Sequence, residues 1–135
     1  MLVDTNIWLA SADRRPDRHA DCAALVRGHV GRLASPVPVI AETSWLLLDR
    51  LGPSTRPEFV RMVSAGRLQA LDLAGEDWRR CAELVERYAD MRLDLMDASL
   101  VALAERLGED TIATLNRRDF TVVRARHLTA FELVP

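Results

Sequence analysis

Apolar positions follow two rhythms along this chain: short unbroken runs, and longer stretches where apolar residues recur every three or four positions. The first rhythm suits buried strands and the second one face of a helix. Met1-Leu2-Val3 is a run that breaks at Asp4-Thr5-Asn6, which predicts a buried strand followed by a helix start. From Asp17 to about Arg32, Ala20, Ala23, Ala24, Val26 and Val30 predict a helix, with Gly31 near its end. Val37-Pro38-Val39 predicts a second strand, running into a helix over about Ala41–Arg50 that Gly52-Pro53 stops. A helix over Arg56–Ala65, closed by Gly66, and a strand over Leu68–Leu73 follow. Gly75–Tyr88 is helical by pattern, with Trp78, Cys81, Ala82 and Val85 along one side. Leu95–Leu107 carries the strongest helical stripe (Leu95, Ala98, Val101, Ala102, Ala104) and ends at Gly108. Thr111–Leu115 and Thr129–Val134 read as further strands.

Short apolar strands alternating with helices predict an α/β fold whose parallel sheet is covered on both faces. No repeat, low-complexity tract or linker divides the 135 residues, so one domain over residues 1–135 is expected. In such sheets the chemistry lies at the carboxyl ends of the strands, near the point where strand order reverses.

Composition narrows the function. At 49% hydrophobic and 28% charged the chain resembles an ordinary globular protein. Eighteen basic against twenty acidic residues leave a net charge of −2, which weakens a simple electrostatic nucleic-acid binder but allows a metal enzyme acting on nucleic acid. All eighteen basic residues are arginine, so any mechanism that needs a lysine is excluded. Cys22 and Cys81 lack the paired spacing of a zinc site and read as reduced, partly buried thiols. No apolar stretch nears the ~20 residues that span a bilayer. Asp4 follows Met1-Leu2-Val3 directly, unlike a signal peptide. A cytoplasmic protein with no membrane partner is expected.

Carboxylates recur just after strands or in first helical turns: Asp4, Glu42, the pair Asp94 and Asp97, and Asp119. Each has a bland reading. Asp4 can cap a helix, Asp94 and Asp97 can form a capping pair, and Asp119 can be a turn residue or an ion-pair partner. Glu42 sits between apolar neighbours (Ile40, Ala41, Trp45, Leu46), where a glutamate wants a partner. Jointly the bland account weakens, because parallel strands gather these acids at one sheet edge, where they repel one another. A divalent magnesium or manganese ion removes that penalty, and a carboxylate-held metal serves phosphodiester chemistry.

Four blocks in order, Met1-Leu2-Val3-Asp4-Thr5-Asn6, Val39-Ile40-Ala41-Glu42, Asp94 to Glu105 and Ile112 to Phe120, resemble the PIN-domain ribonucleases, and more narrowly the VapC-type toxins of bacterial toxin–antitoxin pairs. The resemblance covers the chain end to end. It implies a three-layer α/β/α sandwich around a parallel sheet and a magnesium-dependent endoribonuclease, with manganese as a substitute. The family's first three acids fall on Asp4, Glu42 and Asp97, with Asp4 and Asp97 as metal ligands. The fourth position is divided between Asn116 and Asp119, and Asp94 is a further ligand or only the cap. Thr5 and Asn6 lie beside the first acid. With Asn116 and Arg117 they are candidate substrate-binding residues.

The resemblance also implies an RNA substrate, a cognate antitoxin and self-association. Arg14, Arg15, Arg18, Arg117, Arg118, Arg124 and Arg126 are candidates to track the RNA backbone, or simply a solvated surface. Trp45, Leu48, Phe59 and Met62 are candidates for a dimer face, or core. Two rivals recede. A receiver domain uses a lysine that this chain lacks, and a haloacid-dehalogenase phosphatase uses Asp-X-Asp where this chain has Asp4-Thr5-Asn6. A non-catalytic PIN-fold module that binds RNA or a protein partner remains the alternative.

Overall fold

A computed structural model describes residues 1–15 and 17–135. The described residues form five strands, seven α-helices and one turn of 3-10 helix over Ala89–Met91. The strands are β1 (Leu2–Val3), β2 (Leu33–Pro36), β3 (Leu68–Leu71), β4 (Thr111–Ala113) and β5 (Glu132–Val134). The first four helices are α1 (Thr5–Ala12), α2 (His19–Gly28), α3 (Val37–Leu51) and α4 (Arg56–Ser64). The last three are α5 (Gly75–Arg87), α6 (Leu95–Leu107) and α7 (Arg117–Val122). All strand pairs are parallel, in the order β3-β2-β1-β4-β5. The chain steps from β1 outward through β2 and β3, then returns to place β4 and β5 on the other side, so the order reverses between β1 and β4.

Adjacent strand residues face opposite sides of a sheet, and this alternation divides the core. Val3, Leu33 and Ala113 enter a cluster with Ile7, Trp8 and Phe59, beneath α1, α2 and α4. Leu2, Ala34 and Ile112 enter a second cluster with residues of α5, α6 and α7 such as Leu84, Leu100 and Phe120. Val39 of α3 joins that second cluster, so α3 touches both layers. The result is the expected three-layer sandwich around a parallel sheet. Trp8 meets Phe59 edge-on, with ring centroids 5.6 Å apart. The Trp8 indole donates to the Ser35 hydroxyl, which in turn donates to the Val3 carbonyl, so the buried polar groups beneath β1 and β2 are satisfied.

The second strand lies earlier than the pattern predicts. Leu33–Pro36 is β2, buried throughout, whereas Val37-Pro38-Val39 opens α3. Pro38 falls in the first helical turn, where its missing N–H has no partner to lose. The helix expected from Asp17 to Arg32 is shorter, His19–Gly28, because Gly31 at φ +79° turns the chain into β2. The apolar side predicted for α5 is also corrected. Cys81 is buried, but Trp78, Ala82 and Val85 are exposed, and the inward face carries Asp77, Arg80 and Leu84. Those two charges are paired: Arg80 grips Glu105 with two hydrogen bonds of 2.8 Å, and Arg106 holds Asp77 at 3.0 Å. Phe59 is core rather than a dimer face, while Trp45 on α3 stands 62% exposed. Cys22 and Cys81 are buried free thiols. Among the described residues no helix is long and apolar enough to cross a membrane.

Candidate active site

Strand ends and helix starts deliver the acids to one edge of the sheet. Asp4 directly follows β1 and caps α1, accepting the Thr5 amide at 2.6 Å. Asp97 lies in the first turn of α6, whose cap is Asp94, accepting the Asp97 amide at 2.9 Å. Glu42 comes from the second turn of α3, and Asn116 stands just before α7 and just past β4, without a side-chain capping bond. Asp4, Glu42, Asp94, Asp97 and Asn116 line a single cleft of about 220 Å³, floored in part by Thr5 and Asn6. This cleft opens beside the reversal of strand order between β1 and β4, the expected place for a site in an open α/β sheet.

Hydrogen bonds fix the carboxylates in place. One Asp4 oxygen accepts from the Thr114 hydroxyl at 2.7 Å and from the Asn6 amide, and the other takes the Thr5 amide. Asn6 is itself held, since its carbonyl oxygen accepts the Leu115 amide at 2.9 Å. The Thr5 hydroxyl donates to Glu42 Oε2 at 2.6 Å. The Asn116 amide donates to Asp97 at 3.1 Å and to Asp119 at 2.9 Å, bridging the two acids. Asp119 is thus tied to the site through Asn116, without lining the cleft itself. Asp94 both caps α6 and lines the cleft.

Burial pushes the Asp97 carboxyl up to about 8, helped by the charges of Asp94, Asp4 and Asp119 and opposed by the Asn116 bond. Burial likewise raises Asp4 to about 6, with Asp94 and Glu42 adding to it, against the bonds from Thr114 and Thr5. Carboxyls held half-neutral near physiological pH are strained until positive charge arrives. Among the described residues no three Asp, Glu, His or Cys side chains are already closed to metal-ligating spacing. Magnesium does not require such a cage, because it retains several waters and takes only one or two carboxylates directly. An all-oxygen donor set around two desolvated carboxylates, open to solvent, therefore fits a hard divalent cation. Thiol chemistry does not compete, since burial pushes Cys81 up to about 11 and raises Cys22 too.

The basic residues fare less evenly. Arg117 donates to the Pro135 carbonyl, as does Arg18. Arg15 pairs with Asp13, Arg118 with Asp119 and Arg126 with Glu83, while Arg124 bonds the Thr121 carbonyl. None of these arginines lines the cleft. Two further residues contribute to the site. Thr114 is a fully buried hydroxyl in the apolar Ile112–Leu115 run, and that placement was the available signal. Arg50 lines the cleft two helical turns beyond Glu42, an eight-residue spacing that puts both on one face of α3.

A parallel α/β/α sandwich with carboxylates gathered where the strand order reverses defines a class of acidic-site proteins. Over residues 1–125 the sequence matches the PIN domain, and the chain belongs to that family. It is 28% identical to Ribonuclease VapC26 of Mycobacterium tuberculosis across 135 residues, the full length of both chains. Its fold is similar to that of Mycobacterium tuberculosis VapC20, a toxin that cleaves the sarcin-ricin loop. That match has a TM-score of 0.79 at 17% identity and covers 95% of this chain and 98% of that one. A toxin–antitoxin complex from Klebsiella pneumoniae matches with a TM-score of 0.64 at 20% identity, over 90% of this chain and 91% of that one.

Proposed function

We propose that this chain is a metal-dependent endoribonuclease, the toxin of a type II toxin–antitoxin pair, acting in the cytoplasm as one PIN domain over residues 1–135. The observation that carries the reading is the convergence of Asp4, Glu42, Asp94 and Asp97, from three separate segments, on one cleft. The ribonuclease name of the full-length relative supports RNA as the substrate. The toxin–antitoxin complex among the structural neighbours supports an antitoxin as partner. A second copy of the chain is a further partner in this reading.

Asp4 and Asp97 would hold magnesium, or manganese in its place. Bound there, the cation supplies a Lewis acid for the phosphodiester and makes water a better nucleophile at neutral pH. Glu42 is oriented by the Thr5 hydroxyl at Oε2, which leaves Oε1 to accept a proton from the attacking water. Asn6 and Thr114 keep the Asp4 carboxylate at a fixed angle. Asn116 ties Asp97 and Asp119 together by donating to both, so Asp119 is a positioning residue acting through Asn116.

The test is cleavage of RNA by purified protein in magnesium or manganese, with 5′ ends mapped. Asp4→Asn and Asp97→Asn are each expected to cut activity at least about a hundredfold while the fold persists. Full activity in either variant removes that residue's role. Binding of RNA or antitoxin by the wild type with no cleavage in either metal would instead make the chain a binding module.

A further inference from the structure

The acidic cleft has one basic residue in its wall. Glu42, Leu46 and Arg50 recur every fourth position along α3 and all three line it. Among the described residues the Arg50 side chain has no ion pair, whereas Arg15, Arg118 and Arg126 each hold an acid. An exposed guanidinium beside several carboxylates, paired with none of them, is available to an incoming anion.

Arg50 also belongs to a neighbouring cleft of about 210 Å³. The two clefts share Asn6, Leu9 and Arg50, so they are continuous around the guanidinium. Ala10, Leu51 and Leu115 make the second cleft largely apolar. Its one acid, Asp13, is already gripped by Arg15 through bonds of 2.9 and 2.8 Å, so its charge does not repel a polyanion unopposed. Asn6 is a rigid divider, bonded to Asp4 on one side and to the Leu115 amide on the other. The acidic cleft is thus followed by a lone guanidinium and then an apolar slot. An unpaired nucleotide offers the complementary order: a phosphodiester to cut, a neighbouring phosphate and a base with an apolar face.

We propose that Arg50 and the cleft between Leu9, Leu51 and Leu115 form a subsite for the nucleotide next to the scissile phosphodiester, the guanidinium binding its phosphate and the cleft its base. The inference rests on the nuclease reading and extends it to substrate positioning. Arg50 is accordingly a binding residue that need not touch the reacting atoms.

The test uses full-length protein and a pool of short single-stranded RNAs of random sequence, cleaved in magnesium or manganese and sequenced. Arg50→Ala is expected to raise KM about tenfold with kcat held within about threefold. The slope of log KM against log salt should shrink by about 0.7, the signature of one lost phosphate contact on a single strand. Arg50→Lys should recover part of the loss, because it keeps the charge without the fork. Leu51→Trp and Leu115→Phe, which fill the cleft from two different elements, should change the base bias beside the cut. An abasic nucleotide at that position should relieve their defect. An Arg50→Ala enzyme with wild-type KM and salt slope, or with a loss confined to kcat, overturns the phosphate contact. An unchanged base bias in both cleft variants overturns the base slot. If the wild type cuts and the variants match it, the subsite falls and the nuclease stands. If the wild type cuts nothing, the nuclease reading falls and takes the subsite with it.

Discussion

Asp97→Asn should make the metal-free protein more stable, by a margin that widens as pH rises. An unfolded aspartate titrates near 3.8, whereas burial and three neighbouring carboxylates hold Asp97 at about 8 in the folded chain. Between those values the folded state binds the extra proton. Stability tied to this group is therefore complete below pH 4 and drains away as pH climbs through 8. At about 1.4 kcal/mol per pH unit, the cost of Asp97 is roughly 1–2 kcal/mol at pH 5 and of the order of 5 kcal/mol at pH 8. Asparagine removes this cost and keeps an acceptor for the Asn116 amide. It forfeits only the attraction of a carboxylate to the first turn of α6, about 0.3–1 kcal/mol. The advantage of the variant over wild type should therefore grow by about 3 kcal/mol from pH 5 to pH 8, roughly 10 °C in Tm for a chain of this size. The assay is thermal or urea denaturation in EDTA at pH 5, 6.5 and 8. An advantage that stays flat across this range, or a variant less stable than wild type at pH 8, would show that Asp97 is not the strained group described.

Magnesium at about 100 times its Kd should raise wild-type stability by about 2–3 kcal/mol at pH 8, visible as a Tm shift that Asp4→Asn and Asp97→Asn lack. Thr114→Val removes the hydroxyl that donates to Asp4 at 2.7 Å and accepts the Asn116 backbone N–H at 2.9 Å. It should cost about 2 kcal/mol in a urea melt and move the acid limb of the cleavage profile to higher pH, because that hydrogen bond holds the Asp4 carboxyl down. An unmoved limb would mean that Asp4 does not set it. Glu105→Gln leaves the Arg80 guanidinium, only 10% exposed, without its bidentate partner at the far end of α6 from Asp97. Because the Arg80–Glu83 pair at 3.2 Å remains, it should destabilise by about 1–2 kcal/mol in the same melt while leaving kcat at low temperature unchanged.

Where apolar rhythm and helix punctuation coincide, the sequence is transparent. Leu95–Leu107 is read to the residue because its stripe runs unbroken and Gly108 takes the left-handed turn at φ +68° that ends it. The pattern places β2 too late because Leu33-Ala34-Ser35-Pro36 is small and partly polar, while the β-branched Val37 and Val39 look like a strand but flank a proline suited to a first helical turn. α7 leaves no mark on the pattern because six residues with two arginines carry too little period to register. On α5, the pattern assigned Trp78 inward and could not foresee that Arg80 is buried through a partner 25 residues away on another helix. The site shows the same division. Acids at strand ends are visible from position alone, and Asp4, Glu42, Asp97 and Asn116 do share a cleft. Arg117 looked placed for substrate yet bonds to Pro135, and Thr114 and Arg50 matter through neighbours that only folding supplies.

The central position of β1 bears on synthesis. β1 lies between β2 and β4, and Asp4 leans on a hydroxyl 110 positions downstream. A growing polypeptide therefore carries its earliest acid long before anything can hold it in register. Products that stop short of β4 lack the Thr114 hydroxyl altogether, so the Asp4 carboxylate takes its folded setting only once that late strand has joined the sheet.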